Sequence, residues 1–131
     1  MKNTENILSE KWHILLRKAK ADLNAATILY RENGISKEVV MFHLEQAVEK
    51  LIKAVLDKNN INYAEIENLF ELIKLSQERF DFDNEQLNLL GELNEYRFEE
   101  YSEKFEINDA ENIDKYFDFI SEVEKRALEI L

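Results

Sequence analysis

The sequence predicts an all-α fold, a five-helix up-and-down bundle whose first two helices are long and antiparallel. Three observations carry this. The 131 residues contain no proline and only two glycines, Gly34 and Gly91, whereas a β-rich chain needs turn residues about every 8–12 positions. Apolar residues recur at steps of three and four along nearly the whole chain, as the face of a helix requires. Between the apolar runs stand Asn, Ser and Asp residues, several with Glu or Gln three positions later, the spacing of a helix start.

The first helix is expected over about Ser9 to Asn33, with the stripe Trp12, Leu15, Leu16, Ala19, Leu23, Ala26, Tyr30. Asn33-Gly34 is a stop signal, because glycine takes the left-handed cap position without strain. Ser36 is an N-cap for a second helix over Lys37 to Lys58. Val40, Leu44, Ala47, Val48, Leu51, Ile52 and Val55 give that helix a broad apolar face, suited to more than one neighbour. The short link between the two helices implies an antiparallel hairpin. Asn62 and Glu65 have capping-box spacing for a third helix over about Tyr63 to Glu78, with Ile66, Leu69, Phe70 and Ile73 turned inward. Arg79–Asp83 reads as a loop with Phe80 and Phe82 pointing inward, and Asp83 with Gln86 opens a fourth helix to about Phe105. Gly91 inside it costs about 1 kcal/mol against alanine and marks a place for close packing. Asn108 and Glu111 repeat the capping spacing before the last helix, Asp109 to Leu131, striped by Ile113, Tyr116, Phe117, Ile120, Val123, Ala127 and Leu131.

The length is that of one domain, expected to span residues 1–131. With no cysteine, neither a disulfide nor a thiolate metal site can form. No apolar run approaches the length of a membrane span, and Met1–Asn6 lacks the basic-then-apolar layout of a signal peptide, so no membrane association and a cytoplasmic location are expected. The net charge of −11 is unevenly spread. Residues 1–58 hold ten Lys/Arg against eight Asp/Glu, and residues 59–131 hold seven against twenty. The acidic half would repel nucleic acid, so an anion-binding surface belongs on the first half or in a local pocket.

Most catalytic constellations are missing. A di-iron bundle needs Glu-x-x-His on two helices, and the two histidines, His13 and His43, supply a single match at Glu10–His13. No metal site and no cofactor are expected. The serines sit in no glycine-flanked elbow, and there is no glycine-rich phosphate loop.

One stretch stands out. The second helix carries Phe42, His43, Gln46, Ala47, Glu49, Lys50, Lys53 and Ala54, and the first helix carries Trp12, Ala19, Asp22, Leu23 and Ala26. Together they resemble the HEPN family (higher eukaryotes and prokaryotes nucleotide-binding domain), whose second helix typically reads Phe-His-x-x-Gln-Ala-x-Glu-Lys-x-x-Lys-Ala. The five-helix layout resembles the family across nearly the whole chain. Without the resemblance, the same residues read as i, i+4 pairs, Gln46/Lys50 and Glu49/Lys53, beside a half-buried histidine.

Catalytic members of that family are metal-independent ribonucleases that carry Arg, four to six residues, then His, in a site assembled across a dimer. An imidazole would move the proton and an arginine would hold the phosphate. Arg97 is present here, but the histidine positions are occupied by Ser102, Glu103 and Lys104, and no histidine follows residue 43. The ribonuclease motif is therefore incomplete, and Glu95, Glu99 and Glu100 crowd the arginine. Leu90, Leu93 and Tyr101 share its helix face, which places Arg97 at the margin of the apolar stripe. Its head group then needs either a helix-two carboxylate such as Glu49 or a ligand anion at a dimer groove.

The resemblance implies a homodimer and a nucleotide-associated binding protein, the partner of a minimal nucleotidyltransferase in a toxin–antitoxin-like pair, with Arg97, Glu49, Lys50, Lys53 and Gln46 as ligand-binding residues. One alternative is a divergent metal-independent RNA-cleaving toxin with Arg97, Tyr101 and His43 as candidate catalytic residues. Another is a helical dimeric scaffold without a small ligand.

Overall fold

The computed structural model describes residues 10–32, 37–64, 66, 68–97 and 110–131. Among them are five helices and no strand: α1 (Lys11–Arg31), α2 (Lys37–Lys58), α3 (Leu69–Phe80), α4 (Asn84–Asn94) and α5 (Ala110–Ile130).

α2 is the central element and packs against each of the other four. That is why its apolar face is broad. Val40, Met41, Leu44, Ala47, Val48, Leu51, Ile52, Ala54, Val55 and Leu56 are all buried. α1 lies antiparallel to it, as expected. Lys58 at the end of α2 sits 4.7 Å from the Trp12 ring at the start of α1, while Asp22, midway along α1, reaches His43 and Lys50. The two fully enclosed side chains of α1 are both small, Ala19 and Ala26, and let the two helices approach closely. Trp12, Leu15, Leu16, Leu23 and Tyr30, predicted on the same stripe, are only half-buried. Long side chains bridge α5 to α1: Tyr30 donates to Asp114 at 2.7 Å and stacks on Phe117, and Lys20 meets Glu124 at 3.6 Å. The inward side of α5 is Ile113, Tyr116, Phe119, Ile120, Val123 and Ala127, so Phe119 joins the predicted stripe and Phe117 moves to its margin.

The short helices depart most from expectation. α3 begins at Leu69 rather than Tyr63. Asn62 does accept a backbone N–H, from Ala64 at 3.0 Å, but closes a local turn rather than a helix. The helix starts at Asn68, whose side chain accepts from Glu71 N at 3.0 Å, and the Leu69 N–H is taken by Asn94 of α4. With that register Leu69, Leu72, Ile73, Ser76 and Phe80 face inward. Phe70, expected inside, is 51% exposed. Its ring lies across Gly91, 3.5 Å from where an alanine Cβ would stand. The helix runs on to Phe80 and ends where Asp81 takes a left-handed conformation (φ 51°), which a short polar side chain tolerates.

Phe80 and Phe82 are buried as predicted and stack 5.1 Å apart. The Gln77 side chain clasps both backbone groups of Phe82. Arg126 of α5 donates to Phe80 O (3.0 Å) and Gln86 Oε1 (3.2 Å), tying the end of α3 and the start of α4 to the last helix. The Asp83–Gln86 capping box forms as the sequence predicts. α4 itself stops at Asn94 and continues as turns to Arg97. The expected extension through Phe105, Tyr101 included, lies outside the described residues beyond Arg97, as do Gly34, Ser36, Glu65 and Asn108.

Candidate functional site

A helix that must bury several sides has few positions left for polar groups, and α2 concentrates its own into one connected cluster. Asp22 of α1 is the hub. One of its carboxylate oxygens lies 3.1 Å from His43 Nδ1, and the other accepts from the Lys50 ammonium. Lys50 also contacts Gln46 Oε1 at 3.4 Å, so the expected i, i+4 pair forms. The Gln46 amide donates to two carboxylates, Glu45 Oε1 at 2.7 Å and Glu49 Oε2 at 3.2 Å. The other oxygen of Glu49 accepts from Lys53 at 2.9 Å, the second expected pair. His43, Gln46, Glu49, Lys50 and Lys53 are therefore all brought together, and each supports its neighbour.

Glu45 and Asp22 complete the cluster. Glu45 is fully buried, with 0% of its surface exposed, and among the described residues its Oε2 has no hydrogen-bond partner. Burial pushes its carboxyl up to about 8, and the neighbouring Glu49 adds to the effect. The Gln46 hydrogen bond and the charges of Arg97 and Lys50 work in the opposite direction. Desolvation outweighs them because a carboxylate without full pairing is costly in the interior. Arg97 is half-buried, and its charge is among those that favour ionisation of the Glu45 carboxyl. A signal for this was present in the sequence: Met41, Glu45, Val48 and Ile52 step by four, three and four, so Glu45 interrupts an apolar stripe.

The charges of the cluster are largely paired within it. Asp22 and Glu49 balance Lys50 and Lys53. The Glu45 carboxyl favours its neutral form near pH 7. His43, the candidate base, is half-buried and held by Asp22. Tyr96, next to Arg97, is pushed up to about 12 by burial and by Glu38 and Glu92, so it stays protonated at neutral pH. Among the described residues no group of three or more His, Asp or Glu is placed to hold a metal ion. No helix among them is long and apolar enough to cross a membrane. An open groove of about 500 Å³ between α4 and α5 is lined by Asp83, Glu85, Glu92, Asp118 and Glu122 together with the cation Lys115. Its acidic lining disfavours a phosphate there.

Comparison with known proteins gave one finding. A family model described as the HEPN domain matches residues 12–130. Neither the curated proteins nor the solved structures gave a match. The matched stretch covers the five helices except for Lys11, together with every residue of the cluster, and the chain belongs to the HEPN domain family.

Proposed function

We propose that this chain is a nucleotide-associated binding protein that works with a protein partner and does not itself cleave RNA. The observation that carries this reading is the state of the two groups a HEPN ribonuclease would use. Arg97 is present beside a buried acid, whereas no histidine follows it and His43 is engaged by Asp22. Positive charge without a placed imidazole favours binding over proton transfer. We further propose that the chain acts as a homodimer and that its partner is a minimal nucleotidyltransferase in a toxin–antitoxin-like pair.

The reading is tested by thermal unfolding against a panel of nucleotides. A ligand present at a hundred times its dissociation constant adds about 2.7 kcal/mol of stability and raises the midpoint accordingly. A flat response to every nucleotide would leave a helical dimeric scaffold as the better description. Co-expression with a minimal nucleotidyltransferase tests the partner directly: a complex that survives gel filtration supports it, and separate elution removes it.

A further inference from the structure

We propose that each copy of the chain seats the outer ridge of its α1 in the acidic groove between α4 and α5 of a second copy, so that two such contacts close a symmetric dimer. This deepens the homodimer of the proposed function and rests on it. The ridge follows from helical spacing. Arg17, Ala21, Asn24, Ile28 and Arg31 step by four, three, four and three, which sets them on one face. All five are exposed. Among the described helices the backbone of α1 approaches α2 alone, so none of them covers this face. Ile28 stands out from it with 60% of its surface exposed. Arg17, Lys18 and Arg31 make no hydrogen bond or ion pair among the described residues. An apolar side chain within a polar, cationic rim is the layout of an interface patch.

The groove is the counterpart in both respects. Leu89 of α4 and Phe119 of α5 give it apolar lining, and Glu85, Asp118 and Glu122 add carboxylates around them. Glu122 is engaged by Arg126. Glu85 and Asp118 make no hydrogen bond or ion pair among the described residues. Uncommitted carboxylates in the groove and uncommitted cations on the ridge are complementary, which steers the two surfaces together and fixes their register. The same opposition runs through the whole chain. Residues 1–58 hold ten Lys/Arg and eight Asp/Glu, a net of +2, and residues 59–131 hold seven and twenty, a net of −13. One chain therefore carries both halves of the contact. A two-fold pairing uses each half once per copy and closes on itself. Ridge against ridge would set cation against cation, and groove against groove would set acid against acid.

The experiment measures the mass of the full chain by sedimentation equilibrium. The wild type is expected at twice the 15.6 kDa chain mass, with a dissociation constant that rises as salt screens the contact. A ridge variant, Arg17→Glu with Arg31→Glu, and a groove variant, Glu85→Lys with Asp118→Lys, each set like charges against one another and should weaken the dimer by about a hundredfold. All four positions are exposed, and circular dichroism checks that both variants keep their helices. Mixed in equal amounts, the two variants should dimerise again: one contact is inverted in sign and the other is that of the wild type. The salt dependence of the wild type is a second readout that needs no variant. Variants that dimerise alone as the wild type does, a mixture that stays monomeric, or a wild-type dimer indifferent to salt would each overturn the inference. In those three cases the homodimer of the proposed function survives through another face. A monomeric wild type removes both.

Discussion

Replacing Glu45 by glutamine should make the protein more stable at neutral pH, although the residue removed is fully buried and hydrogen-bonded. The carboxyl moves from its ordinary 4.5 when unfolded to about 8 when folded. Below pH 4.5 both states are protonated and the group contributes no pH dependence. Between 4.5 and about 8 the unfolded chain ionises while the folded chain keeps its proton. The folded state then binds more protons, and stability falls as pH rises. At about 1.4 kcal/mol per pH unit, the loss is about 3 kcal/mol at pH 7 and about 4 kcal/mol by pH 8, levelling off at about 5 kcal/mol above. That is a large share of the roughly 5–15 kcal/mol that holds a domain together. Glutamine does not ionise. It keeps an oxygen for the Gln46 amide and places its NH2 where the neutral acid's proton would point, so other local terms nearly cancel. Urea unfolding followed by circular dichroism at pH 5 to 9 should show the two proteins nearly alike at pH 5, with the variant's advantage growing to a plateau near pH 8. A variant destabilised by several kcal/mol at pH 7 would refute this, because it would mean that Glu45 is ionised and held in a buried ion pair with Arg97.

Gly91→Ala should stabilise α4 by about 1 kcal/mol and raise the midpoint by about 4 °C, since the new Cβ meets only the Phe70 ring at an ordinary 3.5 Å; a fall in the melting temperature would show that Phe70 cannot yield. Arg126→Ala removes donors to Phe80 O and Gln86 Oε1 and should cost about 2 kcal/mol in a denaturant titration. Arg126→Lys should recover only part of this, because an ammonium cannot reproduce the guanidinium fork. Asp22→Ala strands Lys50 and His43 together and should cost about 2 kcal/mol in the same titration; a neutral effect would mean that water replaces the hub.

The long helices were legible because length averages over local ambiguity. α2 has the bounds that Ser36 and the break at Asn59 imply, and α5 differs from expectation by one residue at each end. Legibility failed at α3, where two Asn-x-x-Glu pairs compete, Asn62/Glu65 and Asn68/Glu71. Both pairs look alike locally. What separates them is the register that buries Ser76 and Phe80 and lets Asn94 hold the Leu69 N–H, a contact across 25 positions. The polar signature of α2 was readable as i, i+4 pairs, and both pairs form. The role of Asp22 as their hub was not readable, because it depends on how α1 crosses α2. Glu45 could have been found by noting that it occupies a core position between Met41 and Val48.

The central claim, a HEPN chain that binds without cutting, is tested most directly by incubating the purified protein and Arg97→Ala with a single-stranded RNA and resolving the products on a gel. The account predicts intact RNA with both proteins. Cleavage by the wild type that disappears in Arg97→Ala would contradict it.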